Sequence, residues 1–129
     1  DMTRTFIIGH VSDFAREIYG TVLEAQEAGV RAATAGRALV EVDKACRDII
    51  EQAGYGEYFV HSTGHGIGLS THEEPFIMEG NDLDLEEGMA FSIEPGIYLE
   101  GKWGMRLEDI VVLTNDGYES LNLAPRDVR

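Results

Sequence analysis

The sequence changes character at Gly54, and that change constrains the fold more than any other feature. Before it, apolar residues recur at helical spacing. Ser12-Asp13 offers a helix start, and Phe14, Ile18, Val22 and Ala25 follow at four- and three-residue intervals, which predicts a helix over about 13–33. Ala35-Gly36 interrupts the pattern. Leu39, Val42, Cys46, Ile49 and Ala53 then predict a second amphipathic helix over about 37–53, closed by Gly54 where a left-handed cap is favoured. After Gly54 the chain turns to short apolar segments at 59–60, 89–99 and 105–113, with turn signals at Gly80-Asn81, Gly101-Lys102 and Asn115-Asp116-Gly117. The opening stretch 1–8 is rich in β-branched and aromatic residues and reads as a strand already under way. A leading strand, two helices and sequential strands joined by short turns imply an α+β fold with an antiparallel sheet backed by helices.

With 129 residues and 43% hydrophobic content the chain is sized for one core. Its net charge of −14, with Lys44 and Lys102 the only lysines against 24 acidic residues, disfavours nucleic acid and anionic membrane surfaces as partners. No run approaches the roughly 18 apolar residues of a membrane span, and no signal-peptide pattern opens the chain, so it reads as cytoplasmic. The single cysteine, Cys46, cannot form an internal disulfide and sits in a helical apolar pattern, which predicts a packing thiol. The chain starts at Asp1 rather than a methionine, which reads as a missing natural start. Its end, a polar stretch with Pro125, reads as a natural stop.

The chemistry concentrates in three places. Three of the four histidines, His61, His65 and His72, fall in a stretch punctuated by Gly64, Gly66 and Gly68, a backbone suited to lining a cavity. Glu94 interrupts the apolar segment Phe91-Ser92-Ile93-Glu94-Pro95-Gly96-Ile97-Tyr98, and an ionised carboxylate buried there requires a cation or hydrogen-bond donors. In Met105-Arg106-Leu107-Glu108-Asp109, strand alternation puts Arg106 and Glu108 on one face and Leu107 and Asp109 on the other; the plain reading of that segment alone is a local ion pair on a solvated face. Together, Asp1, His65, Glu94 and Glu108 make one imidazole and three carboxylates. This hard donor set suits manganese or cobalt first, with iron or zinc as alternatives, and lacks the cysteines of a structural zinc site. Carboxylates can bridge two divalent ions about 3.5–4 Å apart, a pair suited to amide hydrolysis.

The segments Asp1-Met-Thr-Arg-Thr-Phe, His61-Ser-Thr-Gly-His-Gly-Ile-Gly, His72-Glu-Glu-Pro, Ile93-Glu-Pro-Gly and Arg106-Leu-Glu-Asp resemble, in order and spacing, the motifs of the methionine aminopeptidase, aminopeptidase P and prolidase family. The likeness runs nearly the whole length. It implies the C-terminal part of a pita-bread fold, residues 1–129 being the C-terminal portion of the catalytic domain, with two metals in the concave face of the sheet. Carried over motif by motif, Asp1 and Glu108 would bridge the metals, His65 would be the histidine ligand, and Glu94 a ligand and general base. His72 would stabilise the oxyanion or hold substrate, His61 would line the substrate pocket, and Arg106 and Tyr98 would orient the carboxylates.

The family also carries an aspartate ligand on a strand upstream of Asp1, which this chain does not contain. The resemblance therefore implies an incomplete site, weak or absent activity for the chain by itself, and apolar edge surface that favours a homodimer. Arg106-Leu-Glu-Asp resembles the Xaa-Pro-cleaving branch, whose substrates are proline-containing peptides, more than the methionine aminopeptidases. Dipeptidase and aminopeptidase specificity stay open. A non-catalytic binding module and a metal-free creatinase-like relative are the competing readings, and the intact carboxylate set argues against both.

Overall fold

The computed structural model describes residues 1–128. Ser12 caps the first helix, its hydroxyl accepting the Ala15 amide, and α1 runs over Asp13–Ala32. Helix α2 spans Leu39–Gln52, and Gly54 beyond it takes φ of 86°. Both helices lie within two residues of their expected limits. Ile18, Val22 and Ala25 of α1 and Leu39, Val42, Cys46 and Ile50 of α2 join Phe91, Ile93, Ile97, Leu107 and Val111 in one buried apolar core. Each such Val, Leu or Ile contributes roughly 1.5–3 kcal/mol by leaving water. Cys46 is fully buried, the packing thiol expected of it.

Among the described residues seven strands follow: β1 (Gly64–Gly66), β2 (Glu73–Ile77), β3 (Ala90–Ile93), β4 (Gly96–Leu99), β5 (Trp103–Arg106), β6 (Asp109–Thr114) and β7 (Gly117–Ser120). Five form one sheet in the order β2-β1-β3-β6-β7, while β4 and β5 make a separate hairpin. Every pairing is antiparallel, as the short connections require. Gly80, Gly101 and Gly117 adopt positive φ at the three expected turns. The architecture is thus the expected α+β one, an antiparallel sheet backed by helices.

Three expectations need correction. The opening stretch 1–8 is not a strand: only Thr3 pairs, in an isolated bridge to Glu108, and beyond it Phe6 and Ile8 find no neighbouring strand and are exposed. The segment 59–60 is also irregular, preceded by a short 3-10 turn at Gly56–Tyr58. The reason lies in Arg47, whose guanidinium takes the carbonyls of Phe59 and His61 and ties this stretch to α2 instead of to a ladder. Finally, 89–99 and 105–113 each divide in two. The chain leaves the large sheet after Ile93, at Glu94-Pro95, forms the β4–β5 hairpin, and re-enters at Asp109. Pro95 has no N–H to continue a ladder.

Candidate metal centre

That double crossing between sheets assembles the site. Ile93 pairs with Asp109, so Glu94 and Glu108 each lie one residue outside the β3–β6 ladder on facing chains. On β3, Phe91 and Ile93 enter the core, which puts Ser92 and Glu94 on the opposite face. The Thr3–Glu108 bridge brings the segment bearing Asp1 alongside. Strand β1 supplies His65 from the other flank of β3, with Gly66 opposite Phe91. Its neighbour Gly64 sits so close to β3 that a Cβ there would lie 1.8 Å from the Ser92 carbonyl oxygen, an approach only glycine permits.

Asp1, His65 and Glu108 each present a ligand atom within 4.8 Å of the others. Glu94 completes the group: its Oε1 lies 3.2 Å from His65 Nε2, and Asp1 Oδ2 lies 3.9 Å from the same nitrogen. The imidazole is oriented from behind, because Nδ1 stands 2.9 Å from the Gly66 carbonyl, which can only accept, so Nδ1 carries the proton. With Nδ1 committed to that carbonyl, Nε2 is the ring atom turned toward the carboxylate oxygens of Glu94 and Asp1. A divalent ion placed between these groups would take Nε2 and the carboxylate oxygens as ligands, and a backbone-anchored Nδ1–H is the usual support of a metal-binding histidine. The donor set thus fits divalent metal on its own geometry. His65, Glu94 and Glu108 are buried, and Asp1 is exposed.

Few positive charges offset these carboxylates. Arg106 Nη1 is 3.6 Å from Glu94 Oε2, and its Nε is 3.8 Å from Glu108 Oε2. The Arg106–Glu108 ion pair expected from alternation is present, but not on a solvated face: Glu108 is 2% exposed, and Arg106 links two carboxylates. Two residues that sequence reasoning missed finish the network. Thr3 accepts from Arg106 Nε at 3.0 Å and donates to Glu108 Oε2. Ser92 donates to Glu94 Oε1 at 2.9 Å and accepts the His65 amide at 3.0 Å. Ser92 was detectable, being a lone hydroxyl two residues before Glu94 and so on its face of the strand.

The remaining candidates flank this centre. The exposed His72 stacks edge-on against His65 with ring centroids 4.6 Å apart. His61 is set between Phe59 at 5.1 Å and Tyr98 at 5.3 Å. Its Nδ1 donates to the Ser62 carbonyl at 2.8 Å, while its buried Nε2 has no partner among the described residues. Tyr98 lies over Gly104, its cross-strand partner, where a Cβ would stand 2.5 Å from the ring. Burial raises the Tyr98 phenol above its ordinary value, with Arg106 opposing the rise. Thr3, Tyr98, Gly104, Met105 and Arg106 line an open cavity of about 480 Å³ beside the site.

An antiparallel sheet backed by helices, with four candidate metal ligands gathered beside it, is the C-terminal part of a pita-bread fold. The model of Metallopeptidase family M24 matches residues 1–115, and the chain belongs to that family. Over its whole length the chain is 52% identical to an Xaa-Pro dipeptidase of Lactobacillus helveticus, spanning 35% of that protein. Among solved structures, dipeptidase PepE from Mycobacterium ulcerans superposes with a TM-score of 0.95 at 52% identity, over 98% of this chain and 34% of that one. X-Pro aminopeptidase from Thermotoga maritima gives 0.95 at 48%, over 99% and 36%. The chain thus spans about a third of the length of these relatives, and matches them as a C-terminal portion.

Proposed function

We propose that the chain is the C-terminal, metal-binding portion of a catalytic domain that hydrolyses the peptide bond of X-Pro peptides with two divalent ions. The observation that carries this reading is His65 Nε2, backed by a carbonyl at Nδ1 and faced by the carboxylates of Asp1, Glu94 and Glu108. Asp1 and Glu108 would bridge the ions, with His65 and Glu94 as the further ligands; manganese or cobalt suits these donors best. When bound, such a pair supplies Lewis acidity toward the scissile carbonyl and eases deprotonation of water at neutral pH. The names of relatives, an Xaa-Pro dipeptidase and an X-Pro aminopeptidase among them, support proline-containing substrates.

The chain's own groups divide the remaining work. Glu94, steadied by the Ser92 hydroxyl and Arg106, accepts the proton of the attacking water. His72 stabilises the developing oxyanion or holds substrate from the rim. His61 offers its unpartnered Nε2 to a substrate donor, while Arg106 and Tyr98 hold the carboxylates in place. A ligand from the upstream segment of the family pattern is needed to complete the centre, so the 129-residue chain alone turns over little or nothing. The net charge of −14 leaves nucleic acid and membrane out of the partner set. A lone buried thiol suits the cytoplasm. The exposed apolar side chains of Phe6, Ile8 and Leu123 favour a homodimer.

The test joins this chain to the upstream portion of the Lactobacillus helveticus protein and measures proline release from an X-Pro dipeptide and an X-Pro tripeptide with manganese. Metal-dependent turnover by the chimera, lost in Glu94→Gln and absent from the chain alone, is the expected result. Cleavage of the dipeptide marks a dipeptidase, and of the tripeptide alone an aminopeptidase. No turnover with manganese, cobalt or zinc overturns the reading.

A further inference from the structure

Asp1 precedes every regular element and is exposed, yet it has to stand opposite Glu108 to share a cation with it. Among the described residues, the segment that carries it has one backbone pairing, the Thr3–Glu108 bridge, whose two hydrogen bonds are 3.2 and 3.3 Å long. The residue that reinforces this bridge is Arg4, 5% exposed in its side chain. Its guanidinium makes five hydrogen bonds, as many as it has N–H donors. Nη1 reaches the carbonyls of Thr3 at 3.0 Å and Glu108 at 2.8 Å, the two bridge residues themselves. Nη2 meets Asp109 Oδ1 at 2.6 Å, and Nε and Nη2 share the Ala124 carbonyl at 3.1 and 3.0 Å.

Asp109 is fully buried and immediately follows Glu108. Its second oxygen forms an ion pair with Arg126 Nε at 2.8 Å and accepts from Gln26 Nε2 at 3.2 Å. One buried carboxylate therefore holds two guanidiniums, one from the opening segment and one from the closing segment. The closing segment is fastened further, as Asn122 Oδ1 accepts the Ile110 amide at 2.6 Å and the Tyr19 hydroxyl donates to the Arg126 carbonyl. A buried carboxylate with two cations and an amide is costly to assemble unless its members are satisfied; here both Asp109 oxygens and all five Arg4 donors have partners, while the buried Gln26 Oε1 has none among the described residues. The alternation that sends Glu108 to the metal face sends Asp109 inward to this hub, so a shift at Asp109 is transmitted to the neighbouring ligand.

We propose that Arg4, Asp109 and Arg126 form a clasp that sets the spacing of Asp1 and Glu108, so that the closing segment tunes the divalent-metal affinity of a centre it does not touch. This rests on the metal reading above. The three are positioning residues: their effect runs through the Thr3–Glu108 bridge and not through contact with the ion.

Cobalt(II) titration of the chimera described above, whose upstream portion supplies the further ligand, followed by its visible absorption, tests both layers separately. Arg126→Gln removes the outer guanidinium at a partly exposed site and is expected to stay folded by circular dichroism in EDTA. Its cobalt affinity should fall about 10- to 100-fold, the range seen when supporting groups of metal ligands are altered, and its absorption band should move. Arg126→Lys, which keeps a cationic donor, should restore most of the affinity, and Asp109→Asn should weaken it further than Arg126→Gln. A folded Arg126→Gln that binds cobalt like the parent, with the same spectrum, overturns the clasp while leaving the metal centre standing. A parent chimera that binds no cobalt overturns both.

Discussion

Arg47 is the residue from which the histidine segment hangs. Its guanidinium grips both oxygens of Asp43, at 2.8 and 3.1 Å, lies 4.2 Å over the Phe59 ring, and donates to the carbonyls of Phe59 and His61. Asp43, 2% exposed, also accepts the Thr63 hydroxyl at 2.7 Å, and the Thr63 carbonyl receives the Glu94 amide at 2.7 Å. A helix thereby fixes the backbone around two candidate site residues. Arg47→Met leaves the Asp43 carboxylate buried without its cation and frees two carbonyls, so unfolding free energy should fall by about 3 kcal/mol, the lower end for breaking a buried pair. Lys44 and Asp48 form an equally short pair one turn away, but on an exposed surface, and Lys44→Ala should leave the urea midpoint almost unchanged. Equal losses from the two substitutions in urea titrations would contradict this account.

At the scale of elements, the glycines differ sharply in what they permit. Gly64 is a packing requirement: a methyl at this position meets the Ser92 backbone, which cannot move without displacing β3 and the Glu94 that follows it. Gly64→Ala should therefore cost about 3 kcal/mol or more, the upper range for overpacking. Gly80 occupies an open turn at φ of 83° with nothing near its would-be Cβ, so Gly80→Ala should cost only about 1–2 kcal/mol, the penalty of a left-handed conformation. Thermal unfolding of the two variants would expose an error if Gly80→Ala proved the more damaging. The same contrast explains what could be read from the sequence. The helices were legible because capping and apolar spacing are local, with Ser12, Gly54 and the Ile18-Val22-Ala25 stripe all within one turn of what they govern. The turns at Gly80, Gly101 and Gly117 were legible for the same reason. The division of 89–99 and 105–113 between two sheets was not, since strand exchange depends on partners distant in sequence. Nor was the failure of 1–8 to form a strand, because strand propensity says nothing about whether a neighbour is there to pair with. His65, Glu94 and Glu108 were legible as polar interruptions of apolar or glycine-rich strands; Thr3 and Asp109 escaped because their importance lies in contacts about a hundred residues away.

For the molecule as a whole, the most acid-rich feature of the sequence is matched by a prediction on the alkaline side. Burial pushes the Cys46 thiol well above its ordinary value of 9.0, and the nearby Asp43 carboxylate adds to the rise. Burial likewise raises the Tyr19 phenol above 10.0. In both cases the folded state keeps a proton that the unfolded chain gives up, so the unfolded state binds fewer protons as pH rises and stability declines with pH. The contribution is fully present below the unfolded value and is lost as pH climbs toward the folded one. Unfolding free energy should accordingly begin to fall near pH 9, where Cys46 ionises only when unfolded, approaching a slope of about 1.4 kcal/mol per pH unit for that single proton. The slope should steepen above pH 10 as Tyr19 joins. Cys46→Ala lowers stability at every pH by leaving a gap between α1 and α2, but it removes the thiol's titration, so its decline should start near pH 10 instead. Urea denaturation at intervals from pH 7.5 to 10.5 in EDTA measures both curves. Parallel curves for the parent and Cys46→Ala between pH 9 and 10 would mean that the thiol is reached by solvent in the folded state, and that the α1–α2 contact beneath the sheet is looser than its complete burial implies.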